Sequence, residues 1–366
     1  MKLGIVGLPN VGKTTLFNAL THGHAAATAY AYTSAESNIG VVAVPDERLD
    51  RLDEVLETPK KVNATIDVVD IAGLAEGASR GEGLGNRFLA DIRGVDAVAH
   101  VVRAFSDPEV AHVREGTDPL ADVELVETEL VLSDLELVER RTDKTKKAAR
   151  SGDRSAQHEL ELLERLHAHL LEGQLARAFE RAPEDAPLFR ELALVSDRPI
   201  LFVLNTDDDA DVADVLREQA TFVDWARGRG DQVVAVAARL EAELADLDDE
   251  EAAVFRAELG AGDAGAVDVL IRAAYEVLGY ITFFTGDFRS SESRAWQLPK
   301  GWNAKQAAGR IHSDIEHGFV RAQVVRIEDL IELKSFHAAR EKALLRTEGK
   351  EYIVQDGDVI NFMHTG

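Results

Sequence analysis

The chain opens with Leu3 to Val6, four residues of which three are apolar, and then with Lys13 to Leu20, where apolar positions recur at helical spacing. The first reads as a buried strand and the second as an amphipathic helix. His22 to Ala35 is small and polar and reads as a surface loop. Ala64 to Asp70 alternates and then turns apolar at Ile66, Val68 and Val69, predicting a strand that ends on an acid. A further strand is predicted over Val95 to Val102, followed by a loop from Ser106 to Pro119. From Asp122 the period changes. Val126, Leu130 and Leu137 lie on one helical face, Ser151-Gly152-Asp153 breaks the chain, and Leu160, Leu163, Leu166 and Leu170 form a second stripe ending before Gly173. Two long helices in antiparallel array are the simplest outcome. Strand character returns at Pro199 to Leu204 and at Gln232 to Val236.

The last stretch mixes predicted strands at Phe319 to Ile327, Tyr352 to Val354 and Val359 to Phe362 with a helix around Ala304 to Ile315. Asp356-Gly357-Asp358 marks a turn before the final strand. This pattern predicts an α/β protein with a mostly parallel sheet, residues 1–121 and 197–280. A helical hairpin over 122–196 interrupts it, and a compact α+β module over 281–366 follows.

At 366 residues, 45% of them hydrophobic, the chain is long enough to bury a core in each of these parts. No apolar run reaches eighteen residues, no leader pattern precedes the first strand, and there is no cysteine. A cytoplasmic protein is expected, without disulfides or thiolate metal sites. The net charge of -25 argues against a surface that binds nucleic acid all over. That charge falls entirely on residues 1–281, since Thr282 to Gly366 carries 12 basic and 12 acidic residues. Lys144, Lys146, Lys147, Arg150 and Arg154 cluster at the hairpin tip of this otherwise acidic chain. A solvated helix end accounts for them, and so does a contact for RNA or a partner.

The chemistry is concentrated in Gly7-Leu8-Pro9-Asn10-Val11-Gly12-Lys13-Thr14, which fits the phosphate-binding pattern G-x-x-x-x-G-K-[ST] between a strand and a helix. Backbone amides from Asn10, Val11, Gly12, Lys13, Thr14 and Thr15 are expected to turn inward on a polyphosphate, where the helix N-terminus adds partial positive charge. Lys13 would reach the β- and γ-phosphates, and Thr14 would ligate Mg²⁺. Asp70-Ile71-Ala72-Gly73 is a D-x-x-G at the end of a strand. Asp70 could hold Mg²⁺ through water while the Gly73 amide senses the γ-phosphate. In the polar loop Thr33 is the candidate to close over the metal, although spacing does not separate it from Thr28. The residue after D-x-x-G, often the glutamine that orients water, is Leu74, so hydrolysis is expected to be slow. His112 is a candidate to position water instead, against the alternative of a solvated surface residue. Asn205-Thr206-Asp207-Asp208 resembles the base-reading N-K-x-D without its lysine, and the backbone of Ala237 and Ala238 could line the base pocket.

Taken together, the P-loop, Asp70-Ile71-Ala72-Gly73-Leu74, Gly81-Glu82-Gly83-Leu84-Gly85-Asn86, His100-Val101-Val102-Arg103, and Gly309-Arg310-Ile311-His312-Ser313-Asp314 with Gly318-Phe319 resemble the YchF or Obg-like ATPase family. The resemblance covers nearly the whole chain. It implies a G-domain interrupted by a helical hairpin, a C-terminal TGS domain of β-grasp fold, ribosome association and slow nucleotide hydrolysis. It also places Leu74 at the family's hydrophobic replacement of the glutamine, Thr33 at its first-switch threonine, and His112 at a loop histidine linked to hydrolysis. The family usually closes its base motif with Glu and prefers ATP. Here the missing lysine points to ATP, while Asp208 is the residue type that accepts from guanine. The expectation is a monomeric, Mg²⁺-dependent ATPase switch on the ribosome, with GTP as an alternative substrate. A non-catalytic ribosome or RNA module, with nucleotide as a structural ligand, is the reading from another class.

Overall fold

The computed structural model describes residues 2–23, 38–71, 84–111, 117–247, 251–252, 254–255, 265–287 and 290–365. It divides into two compact units. Of the described residues, the first takes 2–23, 38–40 and those within 67–270, and the second takes 41–66 and those within 271–365. Val41–Ile66, which the sequence pattern placed in the nucleotide-binding half, thus clusters with the C-terminal residues. No helix among the described residues is long and apolar enough to cross a membrane.

Six strands, β1 (Lys2–Val6), β2 (Asn38–Ala43), β4 (Thr65–Asp70), β5 (Ala97–Arg103), β6 (Ile200–Asn205) and β7 (Gln232–Val236), form one sheet in the order β2-β4-β1-β5-β6-β7. The pairs β1 with β4, β1 with β5, β5 with β6, and β6 with β7 are all parallel. Every residue of β5 and of β6 is buried, which is why both read as continuous apolar runs rather than alternating ones. Parallel strands all deliver their C-terminal ends to one edge, so the loops after β1, β4, β5, β6 and β7 converge there. Helices α1 (Lys13–Gly23) and α9 (Ala238–Leu244) follow two of those loops.

The expected hairpin is present as α4 (Pro119–Arg150) and α5 (Arg154–Leu171). α4 starts three residues earlier than the leucine pattern indicated, because Asp118 caps the Ala121 amide at 3.1 Å and Pro119 fills a first-turn position where no N-H is needed. At the far end Gly152 takes φ 88° and Asp153 caps α5. Val126, Leu130, Leu163, Leu166 and Leu170 are buried as expected, but the packed face shifts by one position at Val138, buried rather than Leu137, and by two at Leu162, buried rather than Leu160. Asp134, wholly buried on α4, accepts from the Val195 amide at 3.0 Å, the Ser196 amide at 2.8 Å and the Ser196 hydroxyl at 2.6 Å, tying the hairpin base to the chain leading into β6.

The second unit carries a mixed sheet. β8 (Tyr280–Thr285) and β9 (Ser293–Pro299) pair antiparallel, and β12 (Asp358–His364) runs parallel to β8 and antiparallel to β10 (Phe319–Arg326). β11 (Arg346–Glu348) flanks β10, while β3 (Lys61–Val62) flanks β9. Helix α11 (Ala304–Ile311) buries Ala304 and Ala307 on Phe283, Leu298 and Ile360. A hairpin, a crossing helix and a last strand laid beside the first is the β-grasp arrangement expected from the family resemblance. The predicted helix over Ala304 to Ile315 is broken at His312, which caps a second short helix, α12 (Ser313–His317). Tyr352 to Val354 is reduced to a single bridge between Ile353 and Asn303.

Candidate nucleotide site

The loop between β1 and α1 owes its path to residues that tolerate positive φ. Gly7 has φ 149°, Asn10 62° and Gly12 96°. At Gly7 an added Cβ would stand 2.4 Å from the Val101 carbonyl, and at Gly12 it would stand 2.2 Å from the Asn205 amide nitrogen. The pattern therefore demands glycine for space as well as for backbone angle.

Lys13 is nearly buried, and its Nζ donates to the Leu8 carbonyl at 2.7 Å. It lies folded over the loop whose amides it serves. Burial depresses its pKa to about 8, against the opposing pull of the Asp70 carboxylate. Thr14 Oγ1 donates to Asp70 Oδ2 at 2.9 Å across 56 positions of sequence. These two hard oxygen donors, of the kind Mg²⁺ takes, meet where strand β4 ends beside the start of α1. Among the described residues no three His, Asp or Glu side chains gather around a metal-sized space. Thr14 and Asp70 would hold Mg²⁺ together with water and phosphate oxygens, the mode in which that ion ordinarily binds.

Asn205 ends β6, and its amide is engaged on both sides. Nδ2 donates to the Val11 carbonyl at 2.9 Å, and Oδ1 accepts from the Ala238 amide at 3.0 Å. One side chain thus braces the phosphate loop against the start of α9. Thr206 is buried, and its N-H donates to the Val236 carbonyl at 3.0 Å. Asp207 accepts from the Ser106 amide at 3.1 and 3.2 Å, holding the loop after β5. Asp208 instead pairs with Arg239: Nε donates to Oδ2 at 2.6 Å, and a terminal guanidinium nitrogen contacts the same oxygen. That partnership raises the Arg239 pKa. Ala237 and Ala238 are both buried, and neither is among the residues that line the pocket shared by Asp208 and Arg239; the Ala238 amide is taken up by Asn205.

A pocket of about 410 Å³ is lined by Asn10, Gly12, Lys13, Thr14 and Thr15 from the phosphate loop and the start of α1, and by Asn205, Asp208, Phe105 and Arg239. A volume of that size suits a nucleotide. Four of the lining positions, Phe105, Asp107, Val110 and Arg239, were not singled out from sequence. The first three share an organiser, Arg103, left without a role by the sequence pattern. Buried Arg103, last residue of β5, donates to the carbonyls of Phe105 at 3.2 Å, Asp107 at 2.8 Å and Val110 at 2.8 Å, and stacks on the Phe105 ring at 4.3 Å. An arginine closing a strand that is apolar apart from His100 was the available signal. His100 on the same strand is buried, and desolvation first, with the nearby Lys13 charge second, brings its pKa down to about 3, so it stays neutral.

Asn10, Val11, Gly12, Lys13, Thr14, Thr15, Asp70, Asn205 and Asp208 are therefore brought together at one sheet edge. Thr33, Gly73 and His112 lie outside the described residues. Ala111, the neighbour of His112, is described, and its carbonyl accepts from Asn10 Nδ2 at 3.2 Å.

A strand-to-helix loop in left-handed turns, a lysine laid over it, and a hydroxyl paired with a carboxylate from the next strand define a P-loop nucleotide-binding protein of the switch type. Comparisons with known proteins agree. A family model described as "50S ribosome-binding GTPase" matches residues 2–133, and a model of the YchF GTPase C-terminal domain, described as a protein of unknown function, matches residues 280–365. The chain is similar to the "Ribosome-binding ATPase YchF" of Bacillus subtilis (strain 168), 45% identical over 361 residues and covering 98% of each chain. It is similar to that of Escherichia coli O157:H7 at 43% over 362 residues, covering 99% of this chain and 98% of the other. The solved "Schizosaccharomyces pombe YchF GTPase" superposes with a TM-score of 0.86 at 33% identity, covering 99% of this chain and 97% of that one. The chain belongs to the YchF family.

Proposed function

We propose that this protein is a slow, Mg²⁺-dependent ATPase that works as a conformational switch on the ribosome in the cytoplasm, as a monomer. The observation that carries the reading is the 2.9 Å contact of Thr14 with Asp70 beside the buried Lys13, three functional groups from two strand ends in one place. Amides of Asn10 to Thr15 bind the phosphates, and Lys13 leaves the Leu8 carbonyl for the β- and γ-phosphate oxygens. Mg²⁺, held by Thr14 and by Asp70 through water, neutralises phosphate charge when bound. Thr33, Gly73 and His112 keep the roles of metal closure, γ-phosphate sensing and water positioning on the strength of sequence and family resemblance. With Leu74 in place of a glutamine, electrostatic stabilisation persists but water is poorly oriented, so turnover is low rather than absent.

The ribosomal role is supported by the names of the relatives and by the hairpin tip, where Lys144, Lys147, Arg150 and Arg154 are exposed. RNA is the partner proposed for this tip and for the C-terminal β-grasp domain, with the hairpin over 122–196 and the module over 281–366 acting as the two contact parts. Turnover of ATP by the purified protein above a Lys13→Ala control tests the enzyme. Equal rates in the two proteins would leave the non-catalytic ribosome module as the better account. Co-sedimentation with ribosomes should weaken when the four exposed tip residues become Glu, or when Thr282–Gly366 is removed. Unchanged co-sedimentation in both would remove RNA binding from these surfaces.

A further inference from the structure

We infer that Arg239 is a specificity-determining residue of the nucleotide site: by pairing with Asp208 it reverses the hydrogen-bonding polarity of the edge that reads the base, favouring adenine over guanine. The inference rests on the nucleotide-binding reading above and says which base that site takes.

Asp208 alone presents two acceptor oxygens. Guanine offers donors at N1 and at its 2-amino group, so an unpaired carboxylate there is a bidentate match for guanine. Adenine offers an acceptor at N1 and only a C-H at C2, so it would face that carboxylate with its own lone pair. The shorter side chain found at this position therefore raises the question of why the site should bind adenine at all.

The pairing with Arg239 supplies an answer. Nε of Arg239 donates to Asp208 Oδ2 at 2.6 Å, and a terminal nitrogen contacts the same oxygen, so one of the two oxygens guanine needs is already occupied. Both side chains line the pocket. The guanidinium has five N-H donors, and two of them are used on the carboxylate. The remainder are available for an acceptor such as adenine N1, while they repel guanine's N1 and 2-amino donors. Asp107 and Glu243 add to the field that holds the guanidinium in place, although Asp208 dominates.

The position of Arg239 is fixed by the fold. It directly follows Ala238, whose amide is bound by Asn205 Oδ1 at 3.0 Å, and Asn205 is in turn bound to the phosphate loop through Val11. The residue that anchors the phosphate end of the site thereby sets where Arg239 enters the base end. The side chain itself is 67% exposed, so the pair is screened by water and salt and its leverage is moderate.

The test is calorimetric affinity of the full chain for ADP and for GDP, in the wild type, Arg239→Ala, Arg239→Lys and Arg239→Ala with Asp208→Ala. The ADP:GDP preference should shift towards GDP by about fivefold in Arg239→Ala, within the range of discrimination that one hydrogen-bonding group provides at a base edge. Arg239→Lys, which keeps a cation beside the carboxylate, should retain most of the wild-type preference. The double variant should lose the gain in GDP affinity, because no carboxylate is left to be released. The wild-type preference should also shrink as salt is raised. An Arg239→Ala ratio within twofold of the wild type would overturn the assignment, as would a gain for GDP that persists without Asp208. A wild type that bound neither nucleotide would overturn the nucleotide-binding reading itself, and the proposal with it, so the two failures are told apart.

Discussion

Replacing Asn205 by Ala removes a side chain that is only 6% exposed and that joins Val11 to Ala238 through two hydrogen bonds, at 2.9 and 3.0 Å. Each such bond contributes about 1 kcal/mol net, and a buried donor left without an acceptor costs roughly 1–3 kcal/mol. The Ala238 amide is placed in that position, since Ala238 is 1% exposed and no water can easily replace the lost oxygen. The sum is about 2–4 kcal/mol lost from the first unit alone. Urea denaturation reads the loss, and hydrogen-exchange mass spectrometry of peptides covering β1 and β6 assigns it to that unit. ADP affinity should fall in parallel, because the phosphate loop loses its brace. A destabilisation below about 1 kcal/mol together with lost ADP binding would refute the brace and leave Asn205 acting on the base alone.

Gly12→Ala should abolish ADP binding measured by calorimetry, since the new Cβ would sit 2.2 Å from Asn205 Nδ2 at a φ of 96°; retained binding would mean that loop and brace can separate without cost to the site. Burial holds Lys13 at about 8 against an ordinary 10.5, so the folded protein binds fewer protons than the unfolded chain between those values and its stability rises with pH across that window. A bound polyphosphate restores the charge, so ADP binding at pH 8.5 should take up a substantial fraction of a proton. Calorimetry in two buffers of different ionisation enthalpy detects this, and buffer-independent heats would refute it. Asp134→Ala leaves the amides of Val195 and Ser196 and the Ser196 hydroxyl without their acceptor, and should cost about 3 kcal/mol or more in urea denaturation. A loss under about 1 kcal/mol would show that water enters to satisfy them.

What the sequence determined by itself was whatever had a local cause. β1, β5 and β6 are buried on both faces, and burial on both faces writes an unbroken apolar run into the chain. The phosphate loop was legible because its glycines, lysine and threonine act within eight consecutive positions, and the hairpin tip because Ser151-Gly152-Asp153 caps and turns in place. The helical faces were legible only to within one or two positions. A period of 3.6 lets neighbours such as Leu137 and Val138 compete for the seam, and packing against α5 and the following segment decides. Three other outcomes belong to the tertiary structure. Asn205 braces a loop 194 residues away, Asp134 holds amides 61 and 62 residues away, and Arg239 reaches back 31 residues to Asp208. No spacing rule encodes such contacts, because parallel strands bring their ends to a common edge whatever length of chain connects them. The sequence named Asp208 as a base reader; only the fold put an arginine beside it.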